Sequence, residues 1–171
     1  EPKEIQKSQN GYIYDFGQNC AGVLELEIKG RKGQRITARH AEVLLNGELF
    51  TKPLRSAKAK LEYVCGGEKE TYCPKFTFMG LRYAELCGIE PENVKVRMKV
   101  ISSIDEETGD FFCSNESINR LQKNIRYSGF SNFLEIPTDC PQRDERLGWT
   151  GDISVFASTA CFNFNLNRFL R

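Results

Sequence analysis

The segment LELEIK, residues 24–29, decides the fold predicted for the first part of the chain. Leu24, Leu26 and Ile28 alternate with charged residues, and a period of two is that of a strand with one buried face. Apolar residues keep this alternation from about residue 12 to residue 104, as in VKVRMKV at 94–100. Turn signals separate the runs at GRKG (30–33), NG (46–47) and GG (66–67). The pattern predicts an antiparallel β-sandwich in a chain that is mainly β.

The apolar period changes after DEETGDFFC, residues 105–113. Ser114 is suited to cap a helix that carries Ile118, Leu121 and Ile125 on one stripe and runs to about residue 133. A second helix is predicted from near Asp152 to about residue 163, and a third from near residue 165. We therefore expect a β domain at residues 1–110 and a helical domain at residues 111–171.

Composition excludes several classes of partner. The 171 residues include 24 basic and 23 acidic side chains, so a net charge of +1 gives no field that favours nucleic acid or an anionic membrane. No apolar run approaches the roughly 20 residues that span a bilayer, and residues 1–17 lack the apolar centre of a signal peptide. The first residues read as internal to a longer protein, and the last ones as the middle of a helical pattern, so we expect a parent chain that extends further.

Cysteine and histidine give no sign of a metal centre or of another cofactor. The seven cysteines form no C-x-x-C pair and there is a single histidine, so we expect no metal site. The cysteines are predicted to be small buried side chains and not a disulfide framework. His40 follows Ile36 and Ala38 on one face of a predicted strand, which favours a partly buried histidine with a hydrogen-bond partner over a catalytic one.

A loop with an unusual composition joins the two predicted helices. The segment PTDCPQRDERLGWTGD, residues 137–152, holds four acidic residues, two arginines and the only tryptophan. Such charges can form a solvated network that has no function. However, two prolines stiffen the loop, and Gly148 and Gly151 permit close approach or a positive φ. Carboxylates and arginines bind sugar hydroxyls, and indole packs on the apolar face of the ring, so the loop also fits a sugar site.

Glycoside hydrolysis needs one carboxylic acid that protonates the leaving oxygen and a second carboxylate that activates water or attacks. The loop offers several candidates for the acid. Spacing alone leaves both Asp144 and Glu145 open for this role.

The string DCPQRDERLGWTGD, residues 139–152, closely resembles the active-site motif of bacterial α-L-rhamnosidases, which are inverting glycoside hydrolases. The upstream strings DFGQNCAGVLELEIKG (15–30), ARHAEVL (38–44), LRSAKA (54–59) and FTFMGLRYAEL (76–86) look like the β-sandwich that precedes the catalytic domain in that family. Only Cys20 departs from the pattern, where a bulkier apolar residue is expected. The resemblance implies a concanavalin-like sandwich followed by the first helices of a truncated (α/α)6 barrel.

The resemblance also assigns roles to the loop residues. It makes Glu145 the general acid, and it gives contacts with the rhamnose ring to Asp139, Arg143, Trp149 and Asp152. Asp144 and Arg146 would be supporting residues. The partners implied are rhamnose-containing glycans or glycosides and the remainder of the parent chain. In the family the general base is a glutamate on a much later helix loop, so the 171-residue chain alone is expected to be inactive.

A second hypothesis is a non-catalytic carbohydrate-binding or interdomain scaffold module. Such a module needs aromatic side chains on an exposed strand face. Five tyrosines of the predicted strands could supply that face, although the alternation favours the core or an ordinary surface for most of them: Tyr12, Tyr14, Tyr63, Tyr72 and Tyr83.

Overall fold

The structure is a computed structural model that describes residues 1–171. Residues 1–100 and 142–144 form one compact unit, and residues 101–141 and 145–171 form a second. The first unit is an antiparallel β-sandwich, and the second contains both α-helices. Neither helix has the length and the apolar character that crossing a membrane requires.

Nine strands and two short 3-10 turns make up the first unit. The strands are β1 (Glu4–Lys7), β2 (Tyr12–Lys29), β3 (Arg35–Ala41), β4 (Leu44–Leu45), β5 (Glu48–Leu49), β6 (Lys60–Val64), β7 (Lys69–Tyr72), β8 (Met79–Cys87) and β9 (Val94–Val100). The 3-10 turns span Lys52–Leu54 and Pro91–Asn93. Seven strands form one sheet in the order β1-β2-β8-β3-β6, with β7 and β9 also paired to β2. The remaining two, β4 and β5, form a hairpin at the predicted NG turn.

The 18-residue strand β2 takes part in both halves of this sheet. Its first half pairs with β1 and β8, and its second half pairs with β9 and β7. The change of partner falls at Gly22, which pairs with both Met79 and Val100. A side chain at Gly22 would collide with the carbonyl oxygen of Lys99, so this close approach requires glycine.

The core of the sandwich lies on the face that the alternation predicted. Leu24, Leu26 and Ile28 are fully buried and pack with side chains of β3, β8 and β9. His40 is buried too, and its Nδ1–H donates to the carbonyl of Ala59 at 2.8 Å, which confirms the structural role expected for it. The seven cysteines differ in burial. Three are buried (Cys20, Cys65 and Cys140), three are half-buried (Cys73, Cys87 and Cys113), and Cys161 is exposed.

Helix α1 spans Glu116–Asn132 and begins one residue later than the predicted cap allows. The cap is Asn115, whose side-chain oxygen accepts the backbone N–H groups of Ser117 at 3.0 Å and Ile118 at 3.3 Å. The prediction of Ser114 as the cap was therefore wrong. The N–H groups at the start of the helix, which have no partner within it, are reached by the side chain of Asn115 and not by that of Ser114. After α1 the chain forms a tight hairpin of β10 (Phe133–Leu134) and β11 (Ile136–Pro137).

Helix α2 spans Thr150–Asn163, so the second helix is present and Asp152 lies in its first turn. The third helix predicted from near residue 165 is absent. The backbone around Phe164 pairs instead with residues 106–108: Thr108 donates to the Asn163 carbonyl and Asn165 donates to the Glu106 carbonyl. Because these bonds hold the segment extended, residues 165–171 form only a turn. The core of this unit centres on Phe133, Ala160, Phe164 and Leu166.

Candidate active site

The charged loop begins with hydrogen bonds to the end of α1. The backbone N–H and the hydroxyl of Thr138 both donate to the Asn132 carbonyl, at 2.8 and 2.7 Å. At the next residue, the backbone N–H of Asp139 donates to the Leu147 carbonyl at 3.1 Å, and the Leu147 N–H donates to Asp139 Oδ1 at 2.9 Å. Asp139 therefore closes the loop with its backbone and its carboxylate together.

The left-handed backbone position of the loop is an arginine and not a glycine. Arg146 has a φ of 54°, whereas neither Gly148 nor Gly151 has a positive φ. Of the two possibilities that glycine permits at these positions, a positive φ therefore occurs at neither. Close approach is the role left to Gly148, since a Cβ there would lie 3.2 Å from the side chain of Ile136. Burial lowers the pKa of the Arg146 guanidinium, and the neighbouring Cys140 raises it.

Glu145 is half-buried and lies beside the indole of the loop. Trp149 Nε1–H donates to Glu145 Oε1 at 3.2 Å, and the Trp149 side chain remains 46% exposed. A carboxylate oxygen of Asp139, one of Glu145 and the sulfur of Cys140 all lie within 4.8 Å of one another. These three groups are also the ones that could share a cation, although the Cys140 thiol already donates to Asp139 Oδ2 at 2.9 Å.

Asp144 has different surroundings from its neighbour Glu145. It is exposed, and its Oδ2 accepts both the hydroxyl and the backbone N–H of Ser56, the latter at 3.3 Å. These hydrogen bonds lower the pKa of Asp144, and the bond from the hydroxyl has the larger effect. Arg143 and Asp144 both belong to the first unit, with Gln142.

A cavity of about 240 Å³ opens in the second unit beside the loop. Two acidic residues, Asp139 and Asp152, line it together with Ser128 and Asn132 at the end of α1. Its apolar wall is formed by Phe133, Ile153, Val155 and Phe156. Glu145 and Trp149 do not line this cavity, so Asp139 is the residue that takes part in both groupings. Larger cavities of about 520 Å³ exist, but no residue of the charged loop lines them.

Sequence reasoning missed three residues that the structure adds to this region. Cys140 lies within the quoted motif, but nothing in the pattern signalled a thiol bond to Asp139. Ser56 lies in the LRSAKA string, 88 positions before its partner Asp144. Asn132, the last residue of α1 before the β10–β11 hairpin, also lines the cavity.

The five tyrosines considered for a binding face do not form one. Tyr14 is buried, and Tyr12, Tyr63 and Tyr72 pack partly buried against the sandwich core. The rings of Tyr63 and Tyr72 stack on each other with centroids 4.4 Å apart. Tyr83 is half-buried and lies under the guanidinium of Arg82 at 4.8 Å.

Comparison with protein families defines first the class and then the family. Residues 106–171 match the model of the bacterial α-L-rhamnosidase 6 hairpin glycosidase domain, so the domain they match is of the glycosidase class. Residues 5–105, more than half of the chain, match the bacterial α-L-rhamnosidase concanavalin-like domain. The chain therefore belongs to the bacterial α-L-rhamnosidase family.

Individual relatives agree with this assignment. An α-L-rhamnosidase of Streptomyces avermitilis is 43% identical over 163 residues, which is 93% of this chain and 16% of that protein. One from Formosa agariphila is 41% identical over 175 residues, covering 99% of this chain and 19% of the relative. The chain thus spans less than a fifth of the length of these relatives.

Solved structures give the same picture. The Streptomyces avermitilis α-L-rhamnosidase complexed with L-rhamnose superposes with a TM-score of 0.94 at 40% identity, over 99% of this chain and 17% of the other. The native α-L-rhamnosidase of Aspergillus terreus superposes with a TM-score of 0.92 at 43% identity, over 99% of this chain and 20% of the other. The β-sandwich followed by the start of a helical domain is therefore the arrangement of that family.

Proposed function

We propose that this chain is the part of an α-L-rhamnosidase that supplies the general acid, Glu145, for hydrolysis of terminal α-L-rhamnosides with inversion. The observation that carries the proposal is the half-buried carboxyl of Glu145, held at Oε1 by the indole N–H of Trp149. A carboxyl held on one oxygen presents the other in a defined direction, which is what proton donation to a glycosidic oxygen requires.

The hydrogen bonds of the neighbouring carboxylate support Glu145 over Asp144 as the acid. A general acid must carry a proton when the substrate binds. Donation from Ser56 stabilises the charged form of Asp144 and lowers its pKa, which is the wrong direction for an acid. Asp144 is thus a supporting residue in this proposal, and the alternative that spacing had left open is disfavoured.

The substrate site in this proposal combines the loop with the cavity beside it. Asp139 and Asp152 accept hydrogen bonds from rhamnose hydroxyls, and the exposed face of Trp149 packs on the ring. Arg143 donates to the sugar, and Arg146 supports the loop from its left-handed position. A cavity of about 240 Å³ is smaller than the roughly 300–1,000 Å³ of pockets for drug-sized ligands, as suits a single sugar ring.

The geometry around Glu145 also bears on stereochemistry. Inversion needs a general base roughly 6.5–9.5 Å from the acid, with a water between them. Asp139 approaches Glu145 within 4.8 Å, and its two oxygens accept from Leu147 N–H and the Cys140 thiol, so it suits neither a base nor a nucleophile. The base then comes from another part of the parent enzyme. Proton NMR of the first-formed sugar tests this point, since retention of configuration would contradict it.

The experiment that tests the acid is Glu145→Gln in the complete enzyme. Turnover of alkyl or glycosyl rhamnosides should fall on the order of 10²–10⁴-fold, because these leaving groups need protonation. Nitrophenyl rhamnosides, whose leaving group is stable as an anion, should lose much less. The quantity to compare is kcat/KM for the two substrate types.

Two controls make the outcome specific. Glu68→Gln makes the same chemical change at an exposed residue of the first unit and should leave both rates unchanged. Asp144→Asn tests the other carboxylate. A loss that depends on the leaving group in Asp144→Asn and not in Glu145→Gln would reassign the acid to Asp144.

A further inference from the structure

Ser56 lies on a tightly turned segment of the first unit. The 3-10 turn Lys52–Leu54 is anchored by Leu54, which is 4% exposed, and Arg55 follows with a left-handed φ of 57°. The N–H of Ala57 donates to the Leu54 carbonyl at 3.0 Å and closes the turn. Ser56 is therefore presented by a defined backbone, although its side chain is exposed.

From this turn, Ser56 donates twice to the carboxylate of Asp144. Its hydroxyl and its backbone N–H, the latter at 3.3 Å, both reach Oδ2. Bonds to a charged acceptor are stronger than those between neutral groups, and the two donors of one residue fix the direction of approach. The lowered pKa of Asp144 is consistent with a carboxylate held in its charged form.

A second contact holds the chain at Gln142, two residues before Asp144. Gly80 of strand β8 faces Gln142 so closely that a Cβ at position 80 would lie 2.7–3.0 Å from the Cβ, Cα and N atoms of Gln142. Two of these atoms belong to the backbone of Gln142, so the strand accepts this segment only with glycine at position 80. Residues 142–144 are thus fixed at both ends, by Gly80 and by Ser56.

We propose that Ser56 is a positioning residue for the general acid: by fixing Asp144 it restrains the backbone at Glu145, the next residue in the chain. This inference rests on the proposed function of Glu145. Misplacing a reacting group by about 1 Å can cost on the order of 10²-fold in rate, so a partial loss of restraint should cost on the order of tenfold. Through Ser56, the β-sandwich would then contribute to catalysis without contacting the sugar.

The test is made in the complete enzyme with Ser56→Ala, and with Ser56→Thr, which keeps the hydroxyl. Ser56→Ala should lower kcat on an alkyl rhamnoside on the order of tenfold with little change in KM, and should affect a nitrophenyl rhamnoside less. Ser56→Thr should restore most of the rate. Ser117→Ala, the same deletion at an exposed serine of α1, is the matched control and should change neither rate.

The double variant Ser56→Ala with Glu145→Gln separates positioning from a general loss of structure. If Ser56 acts through Glu145, its removal should add no loss that depends on the leaving group once the acid is gone. Asp144→Ala, which removes the acceptor, should reproduce Ser56→Ala and supplies the same readout if that variant folds poorly.

Three outcomes are distinguishable. A full rate for Ser56→Ala, or an equal loss on both substrates in both backgrounds, overturns the positioning role while Glu145 keeps its own. A Glu145→Gln enzyme without any dependence on the leaving group overturns the proposed function, and the positioning role with it. Loss on the alkyl substrate alone, restored by threonine and absent in the Glu145→Gln background, supports both.

Discussion

At the scale of single residues, two adjacent carboxylates differ because of what donates to them. The carboxylate of Asp144 accepts from the hydroxyl and the N–H of one serine, whereas that of Glu145 accepts from an indole N–H. Serine donation stabilises the charge of Asp144 and lowers its pKa. Neighbouring positions in a loop can therefore carry the same functional group in different hydrogen-bonded surroundings.

His40 illustrates the same principle in the sandwich core. Burial disfavours the imidazolium and lowers the pKa of His40 below its ordinary value of 6.5, although the hydrogen bond to the Ala59 carbonyl acts in the opposite direction. The unfolded chain then binds a proton at a higher pH than the folded chain does. The stabilisation that the neutral ring provides is complete above about pH 6.5 and is lost as the pH falls below that value.

We therefore predict that the free energy of unfolding of the protein decreases as the pH falls from about 6.5 to 5, and that His40→Asn flattens this decrease. Asparagine retains an N–H near the position of Nδ1 but does not titrate. Urea unfolding at several pH values measures the slope. The Asp15 carboxylate, whose pKa Arg82 lowers, contributes only at more acidic pH. An unchanged slope in His40→Asn would assign the pH dependence to other groups.

At the scale of the elements, the start of α1 depends on one side chain. The oxygen of Asn115 accepts two of the N–H groups that have no partner within the helix. Asn119 fixes the preceding segment, because its side chain accepts from the Cys113 N–H at 2.9 Å and donates to the Cys113 carbonyl at 2.7 Å. Hydrogen bonds thus fix the chain both after the cap, through Asn115, and before it, through Asn119.

Replacing Asn115 by alanine should destabilise the first turn of α1 by about 1 kcal/mol, the usual cost of losing such a cap. Amide hydrogen exchange in residues 117–120 should then become roughly fivefold faster, since this opening is local. Ser114→Ala is the control, because that serine makes no cap and the exchange rates should not change. Faster exchange in Ser114→Ala alone would return the cap to the residue that the sequence pattern favoured.

Local patterns predicted those features of the fold that depend on neighbours in the chain. The alternation at Leu24, Leu26 and Ile28 was enough to assign a buried strand face, because side chains of a strand alternate between its two sides. The third helix was predicted wrongly since the extended pairing of Phe164 with residue 107 is not encoded in the apolar period. For the same reason no pattern linked Ser56 to Asp144 across 88 positions.

The candidate site likewise has features that the sequence predicted and features that depend on contacts between distant residues. Residue types in the loop indicated a sugar site, and the resemblance to a family selected Glu145 from two adjacent acids. What neither could supply is the direction of each side chain: that Asp139 bonds Leu147 and Cys140 within the loop, and that Trp149 turns its N–H towards Glu145. These directions follow from tertiary hydrogen bonds, which one-dimensional periodicity does not contain.

At the scale of the whole molecule, the chain carries one side of the proposed reaction. In the proposed function the loop provides the acid and several acceptors for sugar hydroxyls. The relatives are five to six times longer than the chain, since the chain covers 16–19% of their lengths. The apolar side chains Ile118, Leu121 and Val155 on the two helices are exposed in this chain. Helical bundles bury such side chains against neighbouring helices, so these positions suit packing against further helices.

We predict that the 171-residue chain alone hydrolyses no aryl α-L-rhamnoside at a measurable rate. Inversion needs a base roughly 6.5–9.5 Å from Glu145 on the opposite face of the sugar. Asp139 is too close and is bonded within the loop, and Asp152 lies in the first turn of α2, where the proposal gives it a sugar hydroxyl.

The measurement is release of nitrophenol from the purified chain beside equal amounts of the complete enzyme and of its Glu145→Gln variant. Circular dichroism establishes that the chain is folded, so that inactivity reflects a missing group and not a missing structure. Turnover near that of the complete enzyme would place the base within residues 1–171 and would require another assignment of the carboxylates.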